Sequence, residues 1–425
     1  MILRILIPLV VLLMLPAWGI DRLWWHRHVK GWKRWLVYTP SATLSLLLIL
    51  TAANESYSMA ADHWKGQLLS VTLTFLVPQA LLALLLGLGQ LAKRRAPRIS
   101  HAINIAAVIT SLLSLAAMTY GMTGGYRHLV VKHYTYTDRR IPPAFNGYHI
   151  VQLSDLHVGT LHGQPQVVRN IVDSVNAQRP DLIVFTGDLV NYHAEEIYEF
   201  EPILRQLKAK DGVISIMGNH DYAQYFRWES PLDSLADIRR LQNRQRAMNW
   251  HLLLNDNHII RRGNDSIAII GVENDGRPPF PALADLPRAQ RNLKDNCFKI
   301  LLSHDPSHWH RQVVPNTTIP LTLSGHTHGM QFKIGNFSPA SWFYKEWGGE
   351  YTDQNGHTLY VSLGTGEVLL PFRLGAWPEI NVIQLSNGEK QLDVNLFSFT
   401  ITKQVSRYME KPDYLNTHSQ TISRQ

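Results

Sequence analysis

The sequence predicts an α/β protein carried on an N-terminal bundle of about four transmembrane helices. Two observations predict it. The first 125 or so of the 425 residues are crowded with Leu, Val, Ala and Ile in long apolar runs. From residue 147 onward, short apolar strands alternate with helices, and the strand ends carry Asp, His and Asn.

The apolar runs at 2–20, 36–53, 66–90 and 102–123 are each near the roughly 20 residues a helix needs to cross a hydrocarbon core. Pro8, Pro16 and Pro78 interrupt them, which spanning helices tolerate when neighbours satisfy the freed carbonyls. The first run reads as a span rather than a cleaved signal. It has almost no basic n-region and no clear A-x-A site, and a Trp- and Arg-rich loop follows at once. Trp24, Trp25, Trp32 and Trp35 fit an interfacial aromatic belt.

Lys and Arg set the orientation. Arg22, Arg27, Lys30, Lys33 and Arg34 follow the first run, and Lys93, Arg94, Arg95 and Arg98 follow the third. The connection between the second and third runs offers only Lys65. Both basic loops therefore belong in the cytoplasm. An even number of spans puts everything after residue 125 outside, as the extracytoplasmic domain of a cell (inner) membrane protein. The net charge of +8 rests largely on these loops rather than on a basic helix face, so no nucleic-acid partner is expected. The single Cys297 excludes an intrachain disulfide and leaves the redox compartment open. Few ionisable residues interrupt the apolar runs, which argues against a channel or transporter.

The soluble part is expected to comprise a basic linker at 126–146, a folded domain at 147–400 and a polar, disordered tail at 401–425. Within the domain, "YHIVQLS" leads to Asp155 and His157. "DLIVFT" leads to Gly187 and Asp188, and "GVISIM" to Asn219, His220 and Asp221. "KILLS" leads to His304, and "IPLTLS" to His326 and His328. Helices are expected near 164–178, 195–208 and 228–247. In such sheets, polar groups gather outside the carboxyl ends of the strands.

Asp155, His157, Asp188, Asn219, His304, His326 and His328 form one set of oxygen and nitrogen donors without a thiolate. That chemistry suits Mn, Fe, Zn or Co rather than Cu(I). Seven donors exceed one tetrahedral site and suit two divalent ions sharing a carboxylate, an arrangement that can bind phosphoryl oxygens and acidify a water. If D-x-H and H-x-H run as extended chain, both side chains of each pair point the same way. The glycines at 187, 218, 325 and 329 let the backbone turn beside a crowded site.

The ordered motifs "SDLH", "GD", "GNHD", "SH" and "GHTH" resemble those of the calcineurin-like metallophosphoesterase superfamily. "LPFRLGAWPEINVIQL" after "SLGTG" is similar to the end of its membrane-associated bacterial branch of the YkuE type. The resemblance implies a four-layer αββα sandwich and hydrolysis of P–O bonds by a metal-bridging hydroxide. It also implies that Asp155, His157, Asp188 and His328 hold one metal and Asp188, Asn219, His304 and His326 the other. His220 would stand near the phosphate and leaving group, oriented by Asp221. The run "GDLVNYH" lacks the Arg of "GDxVDRG", which argues against a Ser/Thr protein phosphatase, and "GHTHGMQ" has Met330 where the family often has Gly.

Other residues have plainer roles. His308 and His310 in "SHWH" are expected exposed or near the substrate rather than ligating. Trp342, Phe343, Tyr344 and Trp347 would pack in the core or form a lid that admits a lipid head group. The expectation is thus a membrane-anchored phosphodiesterase acting on a phosphoester substrate, one that is lipid-linked, at the bilayer. Two rivals stand beside it: a cytoplasmic-facing pyrophosphohydrolase of a nucleotide-activated lipid precursor, and a non-catalytic metal-binding scaffold.

Overall fold

The computed structural model describes residues 2–53, 59–278 and 280–388. The tail expected at 401–425 lies outside the described residues. The membrane part contains helices α1 (Ile2–Ile20), α2 (Thr39–Ala53), α3 (Met59–Ala92) and α4 (Pro97–Thr123). Among the described residues, three stretches are long and apolar enough to cross a membrane: Ile7–His28, Trp64–Ala92 and Pro97–Thr123. The second expected span, 36–53, falls on a bent pair instead. A 3-10 segment, Gly31–Val37, meets α2 at 52°. Pro40 explains the break, because it has no N–H with which to continue a helix from the preceding turn. The 15 residues of α2 rise only about 22 Å, less than a hydrocarbon core.

Small residues let the spans approach closely. A Cβ added to Gly19 would stand 3.3 Å from the Ala83 Cβ, and Arg27 donates to the Gln90 side chain at 3.4 Å. Residues 19–27 are therefore level with 83–90, so both basic loops lie at the same end of the bundle. The soluble domain docks at the opposite end. There the Leu369 carbonyl lies 2.8 Å from where a Gly66 Cβ would be, and the Arg373 N–H donates to the Gly121 carbonyl at 3.0 Å.

Among the described residues, twelve strands build two six-stranded sheets. The first contains β1 (Val130–Thr137), β2 (His149–Leu153), β3 (Leu182–Phe185), β4 (Val213–Ser215), β5 (Trp250–Leu252) and β12 (Glu379–Ser386), in the order β1-β12-β2-β3-β4-β5. The second contains β6 (Asp256–Arg262), β7 (Asp265–Gly271), β8 (Phe298–Leu302), β9 (Leu321–Ser324), β10 (Gly349–Thr352) and β11 (Thr358–Val361), in the order β10-β11-β9-β8-β7-β6. Strands β2, β3 and β4 run parallel, as do β7, β8 and β9, so their carboxyl ends meet at one edge.

Alternation within these strands fills three apolar layers. Ile150, Leu182, Val184, Ile269, Ile300 and Leu323 pack between the sheets. Val151, Ile183 and Phe185 face helix α5 (Pro165–Ala177), whose Val168, Ile171, Val172 and Val175 are buried. Leu301 and Val361 face Leu286, Trp309 and Val313 on the far side. The result is the expected sandwich of two sheets between helical layers.

Two expectations are corrected. The segment 126–146 is not a plain linker: β1 runs parallel to β12 at the edge of the first sheet, and its Tyr136 is buried against Phe298. The signal was the alternation in "VVKHYTYT", masked by its basic residues. The helix expected at 195–208 is a 3-10 turn, Ala194–Ile197, and a single α-turn, Glu201–Leu204. Pro202 supplies no N–H and so begins a new turn rather than extending the old one.

Tyr136 tests whether this segment belongs to the domain. Its hydroxyl donates to the Pro320 carbonyl at 3.2 Å. Tyr136→Ala is expected to cost about 3 kcal/mol, read as a lower midpoint in denaturation of the detergent-solubilised chain. A linker residue would change nothing.

Candidate metal centre

The expected donors converge at the shared carboxyl edge of the two sheets. Asp155 and His157 follow β2, and Asp188 follows β3. Asn219 and His220 follow β4, His304 follows β8, and His326 and His328 follow β9. Asp155, His157, Asp188, Asn219, His304 and His328 are buried, and His326 and His220 are partly exposed.

Extended backbone is not what aims them. The strands stop short of the donors, and Asp155, His157, Asp188, His326 and His328 have φ of 52°, 43°, 59°, 76° and 50°. Each left-handed residue costs roughly 1–2 kcal/mol. The surroundings over-determine the conformation. Asp155 N–H donates to the Gly187 carbonyl at 2.9 Å, Leu156 N–H to that of Asp188 at 2.9 Å, and Gly366 N–H to that of Asp155 at 2.8 Å. Gly187 itself has φ 96°, and a side chain at Gly325 would overlap Ser154 and Asp155. These two glycines are demanded by conformation and by space respectively.

The side chains form two clusters around Asp188. In one, His328 Nε2 lies 3.3 Å from Asp155 Oδ1 and 3.1 Å from His157 Nε2. In the other, His304 Nε2 lies 3.1 Å from Asn219 Oδ1, which is 2.8 Å from His326 Nδ1. Asp188 Oδ2 stands between them, 3.5 Å from His157 Nε2 and 3.1 Å from His304 Nε2.

Hydrogen bonds behind the cluster decide which atoms face inward. His304 Nδ1–H donates to the Thr186 carbonyl at 2.8 Å, so Nε2 of the neutral ring carries a lone pair. The Asn219 amide donates to the Tyr225 hydroxyl at 2.9 Å, which turns Oδ1 toward the histidines. His326 Nε2 meets the Tyr344 hydroxyl at 2.6 Å and leaves Nδ1 for the cluster. These facing oxygen and nitrogen atoms need a positive charge between them, which a bound cation or a proton on His304 supplies. Burial pushes the His304 imidazole down, yet the Asp188 charge overrides it and raises the ring to about 10. Burial likewise opposes charge on Asp188, and the His304 and His220 rings still hold it well below the usual carboxylate range. The donor set fits divalent cations with oxygen and nitrogen ligands.

His220 lies beside the clusters, with one ring nitrogen within 4.8 Å of donor atoms on His157 and Asp188. Its Nδ1 donates to the Asn191 carbonyl at 2.7 Å, and its ring stacks on Tyr225 at 4.3 Å between centroids. The expectation that Asp221 orients this ring is corrected. The Asp221 carboxylate instead accepts from the backbone N–H groups of Asp188, Leu189, Val190 and Gly218 at 2.9, 2.8, 3.2 and 2.9 Å. It ties the Asp188 loop to the Asn219 loop. Burial and the Asp188 charge push it up to about 7, against the bonds from Gly218, Val190 and Leu189.

Sequence reasoning missed several supports. Asn191 and Tyr344 hold the His220 and His326 rings and Tyr225 the Asn219 amide, and only their nearness in sequence to "GD", "GNHD" and "GHTH" hinted at it. Arg373 of "LPFRLG" is fully buried, bonds the Gly366 and Ala376 carbonyls, and places Nη2 3.1 Å from His328 Nδ1. His308 is buried rather than exposed, bonded to Ser303 Oγ at 2.9 Å. Above the clusters opens a cavity of about 730 Å³, floored by Asp188, Asn219, His220, His326 and His328.

Comparison with known proteins decides the family. The profile described as calcineurin-like phosphoesterase matches residues 148–330. The chain is 30% identical over 295 residues to the uncharacterized metallophosphoesterase YkuE of Bacillus subtilis, spanning 65% of this chain and 94% of that protein. The chain belongs to the calcineurin-like metallophosphoesterases. It is also 29% identical over 305 residues to the transmembrane protein with metallophosphoesterase domain of Bos taurus, spanning 70% of this chain and 65% of that protein. An uncharacterized metallophosphoesterase of Helicobacter pylori is 27% identical over 278 residues, spanning 64% of this chain and 68% of that one. This metallophosphoesterase is accordingly a hydrolase of phosphoester bonds that binds divalent metal, and its apolar helices mark it as a membrane protein.

Asp221 separates scaffold from chemistry. Asp221→Ala strands four buried N–H donors, so it is expected to cost about 3 kcal/mol or more and to lower the thermal midpoint. An unchanged midpoint with lost turnover would assign Asp221 to catalysis instead.

Proposed function

We propose that this metallophosphoesterase is a dimetal phosphodiesterase on the extracytoplasmic face of the cell membrane. The observation that carries it is the position of Asp188 Oδ2, within 3.5 Å of a ring nitrogen from each cluster. Asp155, His157, Asp188 and His328 would hold one ion and Asp188, Asn219, His304 and His326 the other. Bound there, divalent ions (Mn, Fe, Zn or Co) would neutralise phosphoryl oxygens and acidify a water.

The chain's own groups do the rest. His220, with its proton fixed on Nδ1, presents Nε2 to the cavity. That nitrogen takes the proton released by the attacking water and passes it to the leaving oxygen. A diester suits the electrostatics. Among the described residues lining the cavity, the Arg and Lys side chains are Arg277 and Lys345, both exposed. No guanidinium clamp matches the second charge of a monoester. Orientation rests on the two basic loops, which share the end of the bundle away from the domain, as a cytoplasmic end should. That arrangement disfavours a cytoplasmic pyrophosphohydrolase, and the complete donor set disfavours a scaffold.

Two measurements test this. With Mn²⁺ supplied, the purified chain should hydrolyse bis-p-nitrophenyl phosphate, and His220→Ala should lower kcat by about 10²–10⁴-fold with metal content retained. Monoester turnover without diester turnover would contradict the proposal. In right-side-out membrane vesicles carrying Lys210→Cys, a membrane-impermeant maleimide should label the protein. Labelling only after the vesicles are opened would place the domain in the cytoplasm.

A further inference from the structure

An apolar rim at the mouth of the cavity is not explained by phosphoester chemistry. Ile334, Trp342, Phe343 and Leu369 are 65%, 72%, 68% and 64% exposed, and Met330 and Phe337 are exposed beside them. Soluble surfaces rarely gather so many large apolar side chains in one patch. Core packing, the plainer expectation for Trp342 and Phe343, is contradicted by their exposure.

The position of the rim points to its partner. The segment 369–375 rests on the membrane bundle, with the Leu369 carbonyl against Gly66 of α3 and Arg373 bonded to Gly121 of α4. The loop 332–343 is fastened to that segment: Lys333 N–H donates to the Leu374 carbonyl at 2.8 Å, and Phe332 pairs with Leu374. Gly66 and Gly121 lie within two residues of the ends of spans Trp64–Ala92 and Pro97–Thr123. The rim therefore continues the apolar surface of the bundle at the level where the bilayer ends. Met330, Phe343 and Leu369 also line the cavity, so its apolar wall runs from this rim to His220 and Asp188. Exposed Arg277 and Lys345 flank the same wall, where interfacial phosphates would sit.

We infer that the loop 332–343 dips into the bilayer and that the substrate is a phosphodiester lipid whose apolar chain stays on this rim while its phosphate reaches the metal ligands. The substrate half rests on the phosphodiesterase reading. The dipping half does not.

The test uses the full chain in phospholipid nanodiscs. On a Cys297→Ser background, an environment-sensitive nitrobenzoxadiazole probe is placed at Ile334→Cys and, as a control at the far ends of the strands, at Lys210→Cys. Lipid bearing a nitroxide on its acyl chain should quench the first probe and spare the second. Equal, weak quenching would overturn dipping. Turnover is then compared for ethyl and hexadecyl p-nitrophenyl phosphate, which share a leaving group. The hexadecyl ester should be favoured by about tenfold or more, and Ile334→Ser with Trp342→Ser should erase the preference while sparing the ethyl ester. Equal rates, or a preference that survives the substitutions, would overturn the lipid substrate. If neither ester is hydrolysed, the phosphodiesterase reading fails with the substrate half, and the probe result still decides dipping.

Discussion

Asp188 Oδ2, Asn219 Oδ1 and the inward nitrogens of His304 and His326 face one another at about 3 Å, a crowding of oxygen and nitrogen atoms that needs a positive charge between them. Most of the domain can be understood as holding that unfavourable arrangement in place. Two parallel strand sets deliver the donors to one edge. Five donors sit in left-handed backbone, and the loops carrying them are cross-tied by main-chain bonds and by the Asp221 carboxylate. A site held so firmly is organised in advance for binding a cation, because little reordering remains when it arrives.

Much of this was legible in the sequence, and for physical reasons. The donors lie just past short apolar runs, which hydrophobic alternation makes visible, and glycine marks the sharp turns. The path by which the donors are aimed was not legible. D-x-H and H-x-H suggest extended alternation, but left-handed φ at Asp155, His157, His326 and His328 comes from tertiary hydrogen bonds that no local pattern reports. Asp221 misled in a similar way: its place beside His220 suggests a catalytic pair, and its four N–H partners come from two separate loops. Strand β1 was hidden because Lys132, on its half-buried face and paired with Glu379, interrupts the apolar pattern, and the broken second span because an apolar run says nothing of a bend at Pro40.

The membrane part and the domain are coupled more closely than a tether requires. Segment 369–375 lies on α3 and α4, yet its Leu369 lines the cavity and its Arg373 touches His328. One short stretch of chain thus joins bundle, cavity wall and one ring of the donor clusters. That geometry gives the apolar segments a role beyond anchoring: α3 and α4 support a wall of the cavity.

The central claim is that the two donor clusters sharing Asp188 hold two cations. Elemental analysis of the full chain, purified without chelators, tests it most directly when paired with the Asp188→Asn variant. The account predicts two divalent transition-metal ions per chain, falling to one or none when the shared carboxylate is lost. A folded protein that binds no such ion, or one whose metal content ignores Asp188, would contradict it.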